Sequence, residues 1–108
     1  MGPQAEPFLW PYLDDTGHTA AQRGVALAGL QLIAQRNSER RSEIIQQLIR
    51  RLDDTTADDA EFNAYLVHML RELDADEAGD AITRAFEQDK VDTTIITLND
   101  DDILDDEE

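Results

Sequence analysis

The stretch that decides the fold is TAAQRGVALAGLQLIAQR, residues Thr19–Arg36. Thr19 and Gln22 have the spacing of a capping box, in which each side chain bonds the other's backbone amide. No charged residue occurs between Arg23 and Arg36. A helix that is apolar on all sides is either buried or crosses a membrane, and crossing takes about 20 apolar residues. Because this run is shorter, it predicts a buried central helix against which the rest of the chain packs.

Small residues recur along one face of this predicted helix. Ala20, Gly24 and Ala28 are four residues apart and form a ridge. A glycine inside a helix costs about 1 kcal/mol relative to alanine, so we expect close approach of a neighbouring backbone to offset that cost. A core helix is the favoured interpretation, and a ligand groove along the glycines is the alternative.

The composition limits the class of protein. The chain has 108 residues, 41% of them apolar, with 25 acidic and 9 basic side chains and a formal net charge of −16, which predicts one acidic globular domain. Such a surface repels nucleic acid and anionic membranes and favours basic partners. The absence of cysteine excludes disulfides and thiolate metal sites. With no signal peptide or spanning segment visible, we expect a cytoplasmic location; the chain could be cut from a longer protein, and its oligomeric state stays open.

Apolar periodicity and capping patterns predict four further helices. The first is short and interrupted by Pro11, and Ser38, Asp58 and Asp74 begin the capping patterns of the other three. The predicted helices are residues 4–13, Glu39–Leu52, Asp59–Leu73 and Ala75–Gln88.

The C-terminal part changes character. Val91–Leu98 is rich in β-branched residues, which favour an extended segment, and we expect it to lie back across the last helices. Residues 99–108, NDDDILDDEE, form a like-charge block that predicts a disordered acidic tail. The predicted organisation is therefore a helical domain over residues 1–98 and a tail over residues 99–108.

The chain also repeats itself. The motif LDDT at residues 13–16 recurs at residues 52–55, 39 residues later. A shift of 40 residues places Val25 on Tyr65 and Leu30 on Leu70. Each unit would be helix, LDDT turn, helix, and a period near 40 with two helices is typical of HEAT-type repeats. A hairpin of this kind buries its apolar face by stacking on the next one.

These motifs carry a family resemblance. Leu13 followed by Arg23–Leu30 resembles the HEAT-type signature of a Leu-Asp turn, an Arg at the helix start, and then small and Leu residues. More broadly, Glu6–Leu98 resembles the C-terminal part of an uncharacterised bacterial family of HEAT-like proteins, in which Ala85-Phe86 and Val91-Asp92 match the end of the last helix. Gln22 departs from the pattern by standing where an apolar residue is usual.

The resemblance implies an all-α fold, a short right-handed α-solenoid of antiparallel helical hairpins. In the second unit Asn63 replaces the signature Arg. The family has no assigned activity, so the resemblance implies scaffold or binding use and transfers no functional residue.

Five residues are candidates for a role. Trp10 and Tyr12, in the short first helix, are candidate contacts to a partner protein. Asp14 and Asp15 precede Arg23 across the first loop, and in HEAT-type units such residues form a structural ion pair that ties the turn to the helix. We predict that structural role for them rather than a catalytic one.

No catalytic, cofactor-binding or metal-ligating set is predicted. His18 lies in a loop and His68 lies off the apolar stripe of its helix, and neither has a His or Cys partner at metal-ligand spacing. The acids of residues 100–106 lack the spacing of a calcium loop. Arg36, Arg40 and Arg41 form a basic cluster that we expect to pair with acids on the next helix, with an anion site as the alternative. Aromatic or glycine patterns for nucleic acid are missing.

The sequence therefore favours a non-catalytic protein–protein interaction or scaffold module that needs no cofactor. Its partner would be a protein, bound through one face of the solenoid, with neither nucleic acid nor membrane involved. The alternative is an acidic regulator that mimics nucleic acid and binds a basic protein, which would need carboxylates in rows at phosphate-like spacing.

Overall fold

A computed structural model describes residues 3–95, and within that range all regular secondary structure is helical, without strands. Short 3₁₀ turns at residues 3–5, 57–59 and 76–78 lead into three of the helices. The all-α prediction is confirmed, whereas the predicted tail over residues 99–108 lies outside the described residues. The α-helices are α1 (Glu6–Asp14), α2 (Ala20–Arg36), α3 (Ser38–Asp54), α4 (Ala60–Glu72) and α5 (Gly79–Glu87).

Helix α2 is the centre of the fold. It packs against α1, α3 and α4, and its core-facing residues Leu27, Leu30 and Ile33 are fully buried. The predicted capping box is formed: the Gln22 amide donates to Thr19 Oγ1 at 3.1 Å, and the Thr19 amide donates to Gln22 Oε1 at 2.8 Å. The predicted central helix is therefore confirmed.

One side of α2 nevertheless faces solvent. Val25 is 70% exposed and Leu32 is 40% exposed, and Ala21 and Ala28 are exposed on the same side. The sequence predicts burial on most sides of this helix, and the exposure of Val25 was not expected. Its three neighbours leave one side uncovered, and a helix without a polar stripe carries no sequence signal of which side that is.

A single residue, Asn37, joins α2 to α3. Its side-chain amide donates to the Ile33 carbonyl at 3.0 Å, and its own carbonyl accepts from the Arg40 amide at 2.8 Å. Ser38, predicted as the cap, is instead the first residue of α3. The predicted apolar stripe of α3 is confirmed by the buried residues Ile44, Ile45, Leu48 and Leu52.

Both C-terminal helices end with an aspartate in the left-handed region. Asp74 follows α4 at φ 53°, and Asp89 follows α5 at φ 56°. In each case the next residue's amide donates to a carbonyl five residues back, at 3.1 and 3.0 Å, which satisfies the open end of the helix. The predicted helix Ala75–Gln88 is shorter than expected, because residues 76–78 form a 3₁₀ turn and α5 begins at Gly79.

The segment after α5 turns rather than extends. Val91 is buried, and the Asp92 amide donates to the Ala60 carbonyl at 3.1 Å, so the segment does reach back to the start of α4. The Asp92 carboxylate then accepts from the Thr94 amide at 2.9 Å, and the Ile95 amide bonds the Asp92 carbonyl. This local turn replaces the extended conformation predicted from Val91; residues 96–98 lie outside the described range.

Candidate functional site

Arg23 ties the first loop to α2, but through different partners from those predicted. Its Nε donates to the Leu13 carbonyl at 2.7 Å, and its guanidinium lies 3.7 Å from the centre of the Phe62 ring. The structural tie is therefore a bond to a helix-terminal carbonyl and a cation–π contact. In the structure these contacts take the place of the predicted ion pair of Arg23 with Asp14 or Asp15.

The two acids of the first LDDT motif bind elsewhere. Helix α1 continues through Asp14, so Asp14 lies on its last turn and accepts two 2.8 Å bonds from Arg51 of α3. Asp15 accepts from the Gly17 amide at 2.8 Å and lies 3.8 Å from His18 Nδ1. The reason for the wrong prediction is that the motif belongs to the helix end, from which Asp14 reaches α3.

The second LDDT motif makes an equivalent contact. Asp53 near the end of α3 accepts from Arg84 of α5 at 3.2 Å, as Asp14 at the end of α1 accepts from Arg51 of α3. Both pairs are half exposed, so each contributes at most about 1 kcal/mol. These pairs link α1 to α3 and α3 to α5, although Arg51 lies 37 residues after Asp14 and Arg84 lies 31 residues after Asp53.

A buried polar network holds the second loop. Asn63 is fully buried; its Oδ1 accepts from Thr55 Oγ1 at 2.6 Å, and its Nδ2 donates to the carbonyls of Thr56 and Lys90 at 3.1 and 2.9 Å. The Lys90 ammonium donates to the Leu52 carbonyl at 2.8 Å. In the sequence, Asn63 was noted only as a departure from the repeat. Its position, equivalent to that of Arg23, was the signal that could have indicated a structural role.

Trp10 is partly buried against the core and makes its contacts within the chain. Its Nε1 donates to Glu6 at 2.9 Å, and the Arg51 guanidinium lies 4.3 Å from its ring centre. Glu6 in turn accepts two bonds from Arg40, at 2.7 and 2.9 Å. The hydrogen bond from Arg40 lowers the pKa of Glu6 despite the opposing effect of burial. Trp10 is thus a packing residue that joins α1 to α3.

Tyr12 is more accessible. It is 38% exposed, and its ring stacks on His18 with 3.9 Å between the ring centres. Phe8, on the same helix, is 77% exposed. Tyr12 therefore stays available for the partner contact predicted for it.

An apolar groove lies between α2 and α4. It encloses about 350 Å³, and Gly24, Val25 and Ala28 line it from α2 while Tyr65, His68 and Met69 line it from α4. A Cβ atom on Gly24 would lie 3.6 Å from the Tyr65 ring. The close neighbour expected along the small-residue ridge is therefore an aromatic side chain, not a backbone.

The two sides of the groove differ in charge. The α2 side carries no charged residue between Arg23 and Arg36. On α4, Glu61 and Glu72 are exposed, and the Tyr65 hydroxyl donates to Glu61 at 3.2 Å. That hydrogen bond raises the pKa of Tyr65, as do desolvation and the charges of Glu61 and Asp92. The α2 side of the groove is therefore uncharged, and on α4 two exposed carboxylates, Glu61 and Glu72, stand on either side of His68 in the helix.

A smaller, polar cavity of about 210 Å³ lies between the two loops and is lined by Thr16, His18, Arg23, Asp58 and Glu61, among others. Arg23 is already engaged there by a carbonyl and a ring. Over residues 3–95, no three or more His, Cys, Asp or Glu side chains are grouped so that they could hold a metal ion.

A comparison of the chain with family models, with curated proteins and with solved structures found no match. Within the described range, none of the helices combines the length and the apolar character needed to cross a bilayer. The groove between α2 and α4 is therefore the feature from which a function can be inferred.

Proposed function

We propose that the protein is a non-catalytic interaction module that binds a partner protein through the groove between α2 and α4. The observation that carries this proposal is the exposed, uncharged side of α2, with Val25 70% exposed, on a chain of net charge −16. Exposed apolar patches rimmed by polar groups mark interaction sites. The cytoplasmic location stays a prediction.

The proposal includes a HEAT-like arrangement of the helices. The contacts that support it are those of α2 with α1 and α4, and of α3 with α4 and α5. The equivalent pairs Asp14–Arg51 and Asp53–Arg84 link the other helices, α1, α3 and α5. Two stacked hairpins and a partial third would produce these contacts, and solenoids of this type bind partners along the surface of their stacked helices.

The groove offers enough apolar surface for a small number of anchors. Burying a Val or Leu side chain fully is worth about 1.5–3 kcal/mol, and Val25 and Leu32 are the large apolar residues exposed on this side of α2. A partner that covered both would gain a few kcal/mol of apolar contact. That amount suits binding in which a few central residues dominate.

The test is a matched pair of charge substitutions. Val25→Glu places a carboxylate in the groove, whereas Gln46→Glu makes the same charge change at an exposed position of α3. Tagged protein would be cross-linked in cells of its source, and the recovered partner would be quantified. We expect Gln46→Glu to match the unsubstituted protein and Val25→Glu to lose the partner. Equal recovery by both variants, with unchanged circular dichroism, would reject the groove as the binding surface.

The alternative, mimicry of nucleic acid, predicts a different dependence on salt. Several carboxylates are engaged by arginines instead of standing free in rows: Glu6, Asp14, Asp53 and Glu77. A mimic binds through charge, so added salt would weaken it strongly by screening. Apolar contact at Val25 is not screened by salt, so binding through the groove would weaken much less than that of a mimic, and partner recovery measured over a salt series separates the two hypotheses.

A further inference from the structure

We infer that the occupant of the α2–α4 groove is a basic amphipathic helix of the partner protein. Its apolar residues would be spaced at i, i+4 and i+7 and face the floor, and its lysines or arginines would lie along the α4 rim. This inference rests on the proposed function and adds to it the chemistry of the partner.

The floor of the groove has the length and profile that a helix needs. Its α2 lining runs from Ala21 to Ala28, which spans about 10 Å along the axis, the length that three anchors at i, i+4 and i+7 need. Gly24 and Ala28 keep the floor low, so that a helix backbone can approach, while Val25 projects between them. Helix-in-groove recognition uses this combination of apolar anchors and a shallow floor.

Charge selects a basic helix. Exposed Glu61 and Glu72 stand on the α4 rim, and the charge of Asp92 acts on Tyr65 at the same end as Glu61. Lysines or arginines on one flank of a bound helix would therefore meet carboxylates, while its apolar residues met the uncharged floor.

The same charges disfavour two other occupants. The chain's own residues 96–108 would bring seven acidic side chains towards the acidic rim. A second copy would bring another net charge of −16 against this one. Like charges at an interface cost several kcal/mol, so a basic partner is the occupant that the surface favours.

The test uses a synthetic peptide and the full chain. The probe is an 18-residue capped helix with leucines at i, i+4, i+7 and i+11 and lysines on both flanks, labelled for fluorescence anisotropy at 0.15 M salt. One control peptide has glutamate in place of lysine, and another has the same residues scrambled. The protein variants are Val25→Lys and Gln46→Lys, which change the net charge equally.

We expect Val25→Lys to weaken the lysine peptide at least about tenfold and Gln46→Lys to weaken it less than about twofold, because only the first lies in the groove. The glutamate peptide should bind at least about tenfold more weakly, and the scrambled peptide should lose its dependence on position 25. Leu32→Lys changes a second exposed apolar residue on the same side of α2. It should also weaken the lysine peptide, and it serves as the test if Val25→Lys perturbs the helix.

Five results would overturn the inference. If Val25→Lys and Gln46→Lys weaken binding of the lysine peptide equally, the peptide is attracted by the net charge of the chain and not by the groove. If the glutamate peptide binds tightly, the carboxylates on α4 do not select a basic partner. Tighter binding by a full-length Leu98→Ser variant would show that the chain's own C-terminal segment occupies the groove. A dimer in sedimentation that Val25→Lys dissociates would show that a second copy does. If the native partner is still captured in a Val25-dependent way while the lysine peptide fails, the proposed function stands and only this inference falls.

Discussion

Replacing Asn63 by leucine tests whether the buried polar network stabilises the fold. Leucine has nearly the same shape as asparagine but can neither donate nor accept a hydrogen bond. The side chain of Asn63 makes three bonds, to Thr55, Thr56 and Lys90, and thereby joins α4 to the second loop and to the segment after α5. Asn63→Leu removes all three bonds without opening a cavity.

The expected cost follows from those three bonds. Each contributes about 1 kcal/mol net, so their loss costs about 3 kcal/mol. The added apolar contact of leucine returns about 1 kcal/mol, which leaves a loss of about 2 kcal/mol in the free energy of unfolding. For a domain of this size that loss lowers the melting temperature by about 10 °C.

The assay is urea unfolding followed by the fluorescence of Trp10, the only tryptophan. Asn37→Leu is the matched control, because Asn37 is half-buried and its side chain makes one bond, to Ile33; its cost should stay below about 1 kcal/mol. The reasoning is refuted if Asn63→Leu costs no more than Asn37→Leu while both keep the same denaturant dependence.

Two further substitutions test the helix and the ion pair. Gly24→Ala adds a methyl group 3.6 Å from the Tyr65 ring, an ordinary contact distance, so thermal unfolding should show stabilisation of about 1 kcal/mol; destabilisation would show that the ring cannot accept the contact. Glu6→Gln should destabilise most near pH 7, because Arg40 lowers the pKa of Glu6 below its ordinary 4.5, and this stabilisation is complete above that pH and lost as the pH falls through the lowered pKa. Urea midpoints of the two proteins should therefore converge in acid, and a gap that stays constant down to pH 3 would contradict the role of that pair.

The features that the sequence predicts well are local. The capping box joins Thr19 and Gln22, three residues apart, and the spacing alone was enough to place the start of α2. The buried stripe of α3 follows from the apolar period of one helix. Neither feature depends on how the helices are arranged, so both could be read before the fold was known.

The features that were missed depend on contacts between distant residues. Asp14 pairs with Arg51, 37 residues away, and Asn63 reaches the Lys90 carbonyl, 27 residues away. With 25 acids in the chain, composition cannot decide which carboxylate an arginine meets. The exposure of Val25 was missed for a related reason, because only the positions of the neighbouring helices determine which side of α2 stays open.

The connection at Asn37 has a mechanical consequence. Two helices of 17 residues are joined there by a single residue, and each helix is about 25 Å long. A difference of about 10° in the angle between them would displace the far end of one helix by about 4 Å, comparable to the width of a side chain. The backbone angles of this one residue therefore set the angle between α2 and α3, and they help to position the wall of the groove that α2 forms.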